Sequence, residues 1–119
     1  MLNTEEKTKA VVAALEDIKA LDITVIDTSK LSPLFERMIV ASAQSTRQTK
    51  ALAQHVEDKL KEIGEAPLSV EGEDSGEWVL VDLGEVVVHI MQPAVRAYYN
   101  LEELWDARLP ARAVANAKK

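Results

Sequence analysis

Apolar residues recur at helical spacing in two stretches of the first half of the chain. The first stretch predicts a helix that is capped by Thr4 and carries two glutamates in its first turn, where negative charge is favoured. The second predicts a helix that begins after Ser45, with Gln48 at capping-box distance, and ends at Gly64. The apolar stripes of the two helices consist of Val11, Ala14, Leu15, Ile18 and Leu21, and of Leu52, Val56, Leu60 and Ile63.

Short β-branched or apolar runs between and after these helices predict strands. The last two strands form a hairpin around Gly84 and Glu85, and Pro93 opens a final helix. Asn100, with Glu103 three residues later, is a second capping signal, so this helix is expected in two short pieces. The five predicted strands cover residues 23–26, 38–43, 67–71, 77–83 and 86–92.

The order of elements predicts one layered α/β domain. Two strands follow the first helix, and three strands follow the second helix, before the final helix. A chain of 119 residues has the ordinary size of a single domain. Hydrophobic residues make up 47% of the chain, enough for one modest core. We assign residues 1–106 to this domain. Residues 107–119 are basic and lack hydrophobic periodicity, so they are expected to form a disordered tail.

The composition excludes several classes of protein. The chain has no cysteine, so it has neither a disulfide framework nor a thiolate metal site, which fits a reducing cytoplasm. The charged N-terminal turns are unlike a signal peptide. No uncharged apolar run approaches the roughly 20 residues that span a bilayer. We therefore expect a cytoplasmic protein with no membrane partner.

Acidic residues are concentrated in one part of the chain. The net charge of −6 argues against binding to DNA or to any other nucleic acid. Between Glu62 and Val95 there is no Lys or Arg but there are eight acids, whereas the residues after Asp106 are basic. One interpretation is a solvated acidic surface with a basic tail. The other is a docking face for a basic protein, because complementary potentials steer encounters. The eight acids are Glu62, Glu65, Glu71, Glu73, Asp74, Glu77, Asp82 and Glu85.

Strand alternation divides the hairpin into an aliphatic face and a mixed face. The aliphatic face is the expected core face. The mixed face suits a partly exposed patch on which Trp78 and Met91 anchor a partner. The alternative is that these two residues cap a second small core while Asp82 and His89 bond to each other. The aliphatic face consists of Val79, Val81, Leu83, Val86, Val88 and Ile90, and the mixed face of Trp78, Leu80, Asp82, His89 and Met91.

An aromatic stripe follows the hairpin. Its helical spacing favours a place in the core, but Tyr and Trp also suit the flank of an interface because each has an apolar body and a polar tip. The stripe consists of Tyr98, Tyr99, Leu101, Leu104 and Trp105.

No motif for catalysis or for a cofactor is found. The glycines match neither a phosphate loop nor a dinucleotide fingerprint. His55 lies among polar helix residues and is expected to be solvated. Asp27, Asp82 and His89 are candidate acids, bases or metal ligands, but their spacing forms no motif. We therefore predict no catalytic residue, no cofactor and no metal.

Four segments of the sequence resemble the ribosomal silencing factors, also called the Iojap family. They read ALDITVIDTSK (20–30), MIVASAQSTRQTKALA (38–53), VEGEDSGEWVLVDLGEVVVHIMQ (70–92) and RAYYNLEELW (96–105), stand in the family's order and cover most of residues 4–106. Glu85 replaces the family's usual Asp after the turn glycine and keeps its charge. The resemblance implies a mixed five-stranded sheet with helices mainly on one face, in a nucleotidyltransferase-like topology. This chain lacks that superfamily's Gly-Ser signature, so the fold alone implies no enzymatic activity.

The resemblance also implies a function. The protein would bind the large ribosomal subunit through ribosomal protein fourteen, block joining of the small subunit and repress translation when nutrients are scarce, as in stationary phase. Two alternatives are a small nucleotide-binding or nucleotidyltransferase-like enzyme, and a homodimer that uses the Trp78 face on itself when free. With the resemblance, we interpret the mixed hairpin face as the interface. The predicted partner-binding residues are Trp78, Leu80, Asp82, Glu85, His89, Met91, Tyr98 and Tyr99.

Overall fold

Three helices and five strands follow one another in the predicted order. The structure, a computed structural model, describes residues 2–101. The helices are α1 (Thr4–Asp17), α2 (Thr46–Glu62) and α3 (Pro93–Tyr99), and the strands are β1 (Leu21–Asp27), β2 (Arg37–Ser42), β3 (Ser69–Glu71), β4 (Trp78–Asp82) and β5 (Val86–Met91). The predicted tail 107–119 lies outside the described residues, as do Glu103, Leu104 and Trp105.

The strands form one mixed sheet in the order β1-β2-β5-β4-β3. The central pair β2 and β5 is parallel, and each of the other pairs is antiparallel. The parallel pairing requires a crossover, which α2 supplies together with β3 and β4. The predicted α/β class and mixed five-stranded sheet are thus confirmed, whereas the nucleotidyltransferase-like label stays a prediction. None of the helices within residues 2–101 is long and apolar enough to cross a membrane.

The main core lies between the sheet and the helices α1 and α2. All six aliphatic hairpin residues of the predicted core face are buried in it, with at most 4% of any one exposed. Most of the predicted helix stripes join them there. Ile63 and Leu21 do not: Ile63 is the residue after α2 ends, and Leu21 is the first residue of β1, and they are 47% and 37% exposed. The hydrophobic periodicity therefore predicts the position of each helix better than it predicts the residue at which the helix ends.

The helix caps agree with the sequence at one helix and differ by one residue at the other. Ser45 caps α2 as predicted, since its Oγ accepts the backbone N–H of Gln48 at 3.1 Å. At α1 the prediction of Thr4 is wrong. The cap is Asn3, whose Oδ1 accepts the Glu6 backbone N–H at 2.8 Å while Glu6 Oε1 accepts the Asn3 N–H at 3.1 Å. A cap at residue 3 is favoured because it places Glu6 where the reciprocal bond can form.

The second face of the sheet is covered at one end only. Four buried side chains there form a second cluster, which α3 and the β1–β2 connection cover. Arg96 fixes α3 to the sheet, because its guanidinium donates to Ser42 Oγ at 2.8 Å and to Thr24 Oγ1 at 3.1 Å. The hairpin end of the same face is left half-exposed. The cluster consists of Ile26, Met38, Val40 and Met91, with Phe35, Trp78, Val95 and Leu101 packed against it.

Candidate protein-binding surface

The half-exposed part of the second sheet face is formed by the hairpin. We call it the hairpin face. The strand register pairs Trp78 with Met91, Leu80 with His89, and Asp82 with Val87. In each of these pairs at least one side chain is half-buried, between the core and solvent. The hairpin face consists of Trp78, Leu80, Asp82, Val87 and His89.

Met91 does not belong to this exposed surface, and the prediction that it anchors a partner is wrong. Its side chain is 0% exposed, because it lies in the second cluster, against which Val95 of α3 also packs. The alternative of a second small core is thus correct for Met91. It is correct only in part for Trp78, which packs against the cluster but remains half-exposed.

Asp82 and His89 do not bond to each other, so this alternative is wrong. Asp82 Oδ1 accepts the backbone N–H of Gly84 at 2.8 Å and so closes the hairpin turn. Gly84 has a φ of +94°, a conformation that glycine adopts readily. Asp82 therefore has a local structural role in addition to its half-exposed position on the hairpin face.

His89 bonds to Trp78 instead. The indole Nε1 donates to His89 Nδ1 at 2.9 Å. Because an indole nitrogen can only donate, Nδ1 must be unprotonated, and the neutral imidazole carries its proton on Nε2. Burial lowers the pKa of His89 to about 4. The ring is therefore neutral at physiological pH, and it orients Trp78 through the hydrogen bond.

The depressed pKa of His89 predicts a loss of stability in mild acid. The unfolded chain binds a proton near pH 6.5, whereas the folded chain does so only near pH 4, so stability falls as the pH drops through this window. We expect the loss to be about 2–3 kcal/mol. His89→Gln, which keeps an acceptor for the indole, should lack this component. Urea unfolding of both proteins from neutral pH to pH 4 measures the difference, and parallel curves would contradict it.

Two tyrosines extend the surface beyond the sheet. Tyr98 and Tyr99 are 81% and 53% exposed, so the prediction from helical spacing that they lie in the core is wrong. The reason is that α3 spans only seven residues and ends where Asn100 adopts a left-handed conformation. The ring of Tyr99 lies 4.7 Å from that of Trp78 and 5.0 Å from that of Tyr98, between centroids. Trp78, Tyr99 and Tyr98 thus form a continuous aromatic surface.

A groove of about 320 Å³ lies between these rings and the loop of residues 72–77. We call it the aromatic pocket. The loop approaches β4 so closely at Gly72 that a side chain there would collide with the Trp78 carbonyl. On the other side, Gln92 Nε2 donates to Gly76 O at 3.1 Å and to Thr46 Oγ1 at 3.2 Å. The pocket is lined by Ser75, Glu77, Trp78, Ala94, Val95, Tyr98 and Tyr99.

Glu85, predicted to bind a partner, is bound within the fold. The ammonium group of Lys7 lies 2.8 Å from Glu85 Oε1 and 3.3 Å from Glu65 Oε1. The Lys7 hydrogen bond lowers the pKa of Glu85, and the Leu2 N–H together with Lys7 lowers that of Glu65. Burial opposes the charge of Lys7, which is 5% exposed, but its hydrogen bonds with both carboxylates leave its pKa raised. Glu85 therefore has a structural role that the sequence analysis missed. The sequence signal for a buried ion pair is Lys7, a charged residue four positions before Val11 on the apolar stripe of the first helix.

The eight acids therefore divide into two groups. Glu65 and Glu85 bind Lys7, Asp82 closes the hairpin turn, and Glu62 lies 3.9 Å from Lys59. The other four lie in the loop of residues 72–77, which borders the aromatic pocket, or directly before it. They are Glu71, Glu73, Asp74 and Glu77, of which Glu73 is half-buried and the rest are exposed.

The candidate groups for acid–base chemistry have separate partners. Asp27 Oδ1 accepts from Ser29 at 2.7 Å and from Arg37 at 3.2 Å, whereas Asp82 and His89 bind Gly84 and Trp78. His55 is also not simply solvated, because its Nε2 lies 3.1 Å from Asp17 Oδ2. Within residues 2–101, no three His, Asp or Glu side chains are grouped so that they could hold a metal ion. The site is thus an aromatic and acidic surface.

Comparison with known proteins gives consistent results. The sequence model of the family described as "Ribosomal silencing factor during starvation" matches residues 2–119. The ribosomal silencing factor of Chromobacterium violaceum is 56% identical over 117 residues, which are 98% of this chain and 96% of that protein. A crystal structure of a Chromobacterium violaceum protein superimposes with a TM-score of 0.87 at 56% identity, covering 92% of this chain and 91% of the other. A mouse protein named "Mitochondrial assembly of ribosomal large subunit protein 1" is 31% identical over 100 residues, which are 82% of this chain and 44% of that protein.

Proposed function

The chain belongs to the ribosomal silencing factor family, and we propose that it binds the large ribosomal subunit and blocks joining of the small subunit. Its family membership makes it a ribosome-associated regulator of translation. The proposal adds the subunit, the contact and the mechanism. We propose that the protein contacts ribosomal protein fourteen of the large subunit. We expect it to act in the cytoplasm when nutrients are limiting, as in stationary phase.

The observation that carries this proposal is the exposed aromatic and acidic surface at the hairpin. Trp78 is half-exposed although it is held by a hydrogen bond to His89, and Tyr98 and Tyr99 extend the same surface into solvent. Rigid Trp and Tyr side chains are the residues that most often dominate the energy of protein interfaces. Such a surface suits tight binding of one partner better than it suits catalysis.

The charge of this surface favours a ribosomal protein as the partner. Ribosomal proteins are generally basic, and Glu77 lines the aromatic pocket, while Glu73 and Asp74 lie in the same loop and Glu71 directly precedes it. Complementary charge accelerates encounter and fixes orientation, while the buried aromatic contacts determine how long the complex lasts. The name of the mouse relative refers to the ribosomal large subunit, which supports this choice of subunit.

The proposed mechanism is steric and needs no chemical step. A protein of 119 residues bound on the joining face of the large subunit would occupy space that the small subunit must fill. Repression then requires only that the domain remains bound while subunits encounter each other. In this mechanism no residue is catalytic, and the alternative of a nucleotidyltransferase-like enzyme is not needed.

A second candidate, which concerns the free protein, is a homodimer formed through the same surface. The exposed Tyr98 and Tyr99 favour it, because two copies related by a twofold axis could bury the same aromatic patch against each other. Dimerisation and ribosome binding would then compete. Large subunits added to the protein should convert any dimer into a complex with one copy per subunit.

The blocking step can be tested by following subunit joining with light scattering. Purified large subunits are incubated with the protein before small subunits are added. We expect the scattering increase to be reduced in proportion to the protein added, and to be unaffected when ribosomes are joined beforehand. Normal joining by large subunits shown to be saturated with the protein would contradict the steric mechanism.

A further inference from the structure

The aromatic pocket combines three aromatic rings with one carboxylate. Trp78, Tyr98 and Tyr99 supply the rings, and Glu77 is the one formally charged residue among its lining residues. We propose that this pocket receives the side chain of an arginine from a basic protein partner. The inference rests on the proposed function and deepens it, because it specifies which group of the partner is recognised at this position.

The electrostatics of the pocket favour a cation over a neutral or anionic group. The faces of tryptophan and tyrosine rings carry negative potential, and a cation within about 6 Å of a ring centroid is attracted to it. The loop that forms the opposite wall also contains Glu73 and Asp74, and the chain has no Lys or Arg between Glu62 and Val95. The aromatic rings and the acids therefore both attract a positively charged side chain that enters the pocket.

The aromatic rings and the carboxylate that line the pocket favour arginine over lysine. A planar guanidinium can stack on an aromatic face and still direct its N–H groups to a carboxylate, whereas an ammonium group is a more strongly hydrated point charge. Ala94 and Val95, which also line the pocket, are apolar and suit the aliphatic stem of the side chain. The volume of about 320 Å³ lies at the lower end of the range for small-molecule sites and is ample for one side chain.

Trp78, Tyr99 and the loop beside the pocket are held in place before any partner binds. The Trp78 indole is fixed by His89, and Tyr99 packs against Trp78. On the loop side, Ser75 Oγ accepts the Glu77 backbone N–H at 3.3 Å. The arginine of α3 itself, Arg96, donates to Ser42 and Thr24 on the sheet. A preformed site reduces the entropy that is lost on binding.

The first test uses the free protein and a small probe, so it does not depend on the ribosome. Nα-acetyl-arginine amide is titrated into the protein while the ring resonances of Trp78, Tyr98 and Tyr99 are followed by NMR. Nα-acetyl-citrulline amide is the control, since it has nearly the same shape without the charge. We expect saturable shifts of all three rings, with arginine binding at least about threefold more tightly. Equal binding of citrulline, or no shift with arginine, would overturn the inference.

The second test asks whether the partner uses the pocket. Glu77→Gln should weaken both arginine-probe binding and binding to large ribosomal subunits at least about threefold, and Glu77→Lys should weaken them further. Glu5→Lys, which makes the same charge reversal in the first turn of α1, is the control and should leave both unchanged. If the large subunit binds the parent protein but binds Glu77→Lys equally well, the pocket is not the point of contact, although the proposed function stands. If the subunit does not bind even the parent protein, the proposed function fails while the probe titration still decides the chemistry of the pocket.

Discussion

Trp78→Ala is expected to lower the affinity for the large ribosomal subunit by about 30-fold or more, which corresponds to at least about 2 kcal/mol. The substitution removes the ring that joins the aromatic surface to the sheet, together with the donor that bonds to His89. It also removes contacts with the second cluster. Because Trp78 is half-exposed, we expect the loss of stability to be about 2 kcal/mol, below that of a fully buried tryptophan. Sedimentation binding and urea unfolding measure the two effects separately.

Two further variants separate the loss of binding from the loss of stability. Trp78→Phe retains an aromatic ring but not the indole N–H, so it should fold and bind with an intermediate loss. Leu34→Ala truncates a side chain that is 79% exposed in the β1–β2 connection, and it should affect neither property. If Trp78→Ala is folded at the temperature of the assay and binds as tightly as the parent, the aromatic surface is not the interface.

Lys7→Met is expected to lower the free energy of unfolding by about 3 kcal/mol, the larger of the two stability effects. The ammonium group of Lys7 is buried and lies within 3.3 Å of two carboxylates, one shortly after the end of α2 and one in the hairpin turn. Methionine preserves the apolar stem but leaves the two acids facing each other without a cation. Lys9→Met, at an exposed position of the same helix, is the control for the change of residue type. Urea unfolding at neutral pH provides the measurement.

The pH dependence of this effect identifies its cause. The pKa values of Glu65 and Glu85 are lowered in the fold, so their contribution to stability is present above the unfolded pKa near 4.3 and is lost as pH falls through the folded values. The difference between Lys7→Met and the parent should therefore shrink in acid. Adding Glu65→Gln and Glu85→Gln to Lys7→Met should restore part of the lost stability. A difference that is constant with pH would attribute the effect to packing alone.

Periodicity predicted the architecture well because it follows directly from burial. Alternation in β4 and β5 identified the core face correctly, since Val79 and Ile90 are direct partners across the two strands and both are buried. The exposure of the opposite face could not be predicted in the same way. Whether Met91 is buried depends on where α3 crosses the sheet, and that crossing is set by the Arg96 bonds to Thr24 and Ser42, which lie far apart in the sequence.

The sequence correctly predicts the half-exposed residues of the hairpin face but not the surroundings of that face. Trp78, Leu80, Asp82 and His89 do share a half-exposed face, as alternation required. The pairing of Glu85 with Lys7 spans 78 residues. The place of Lys7 on the apolar stripe indicates a buried cation, but nothing local identifies Glu85 as its partner, so the sequence predicts Glu85 only as surface charge. The aromatic pocket depends on the loop of residues 72–77 turning back against Trp78, a tertiary contact that composition does not reveal. Charge and spacing thus indicated the surface, and only the fold defined its shape.

The central claim, that this member of the ribosomal silencing factor family acts on the large subunit, is tested most directly by sedimentation with separated ribosomal subunits. The protein is mixed with purified large or small subunits without nucleotide and centrifuged through a sucrose cushion. We predict that it pellets with the large subunit, approaches one copy per subunit at saturation, and remains in the supernatant with the small subunit. Recovery with both subunits equally, or with neither, would contradict the account.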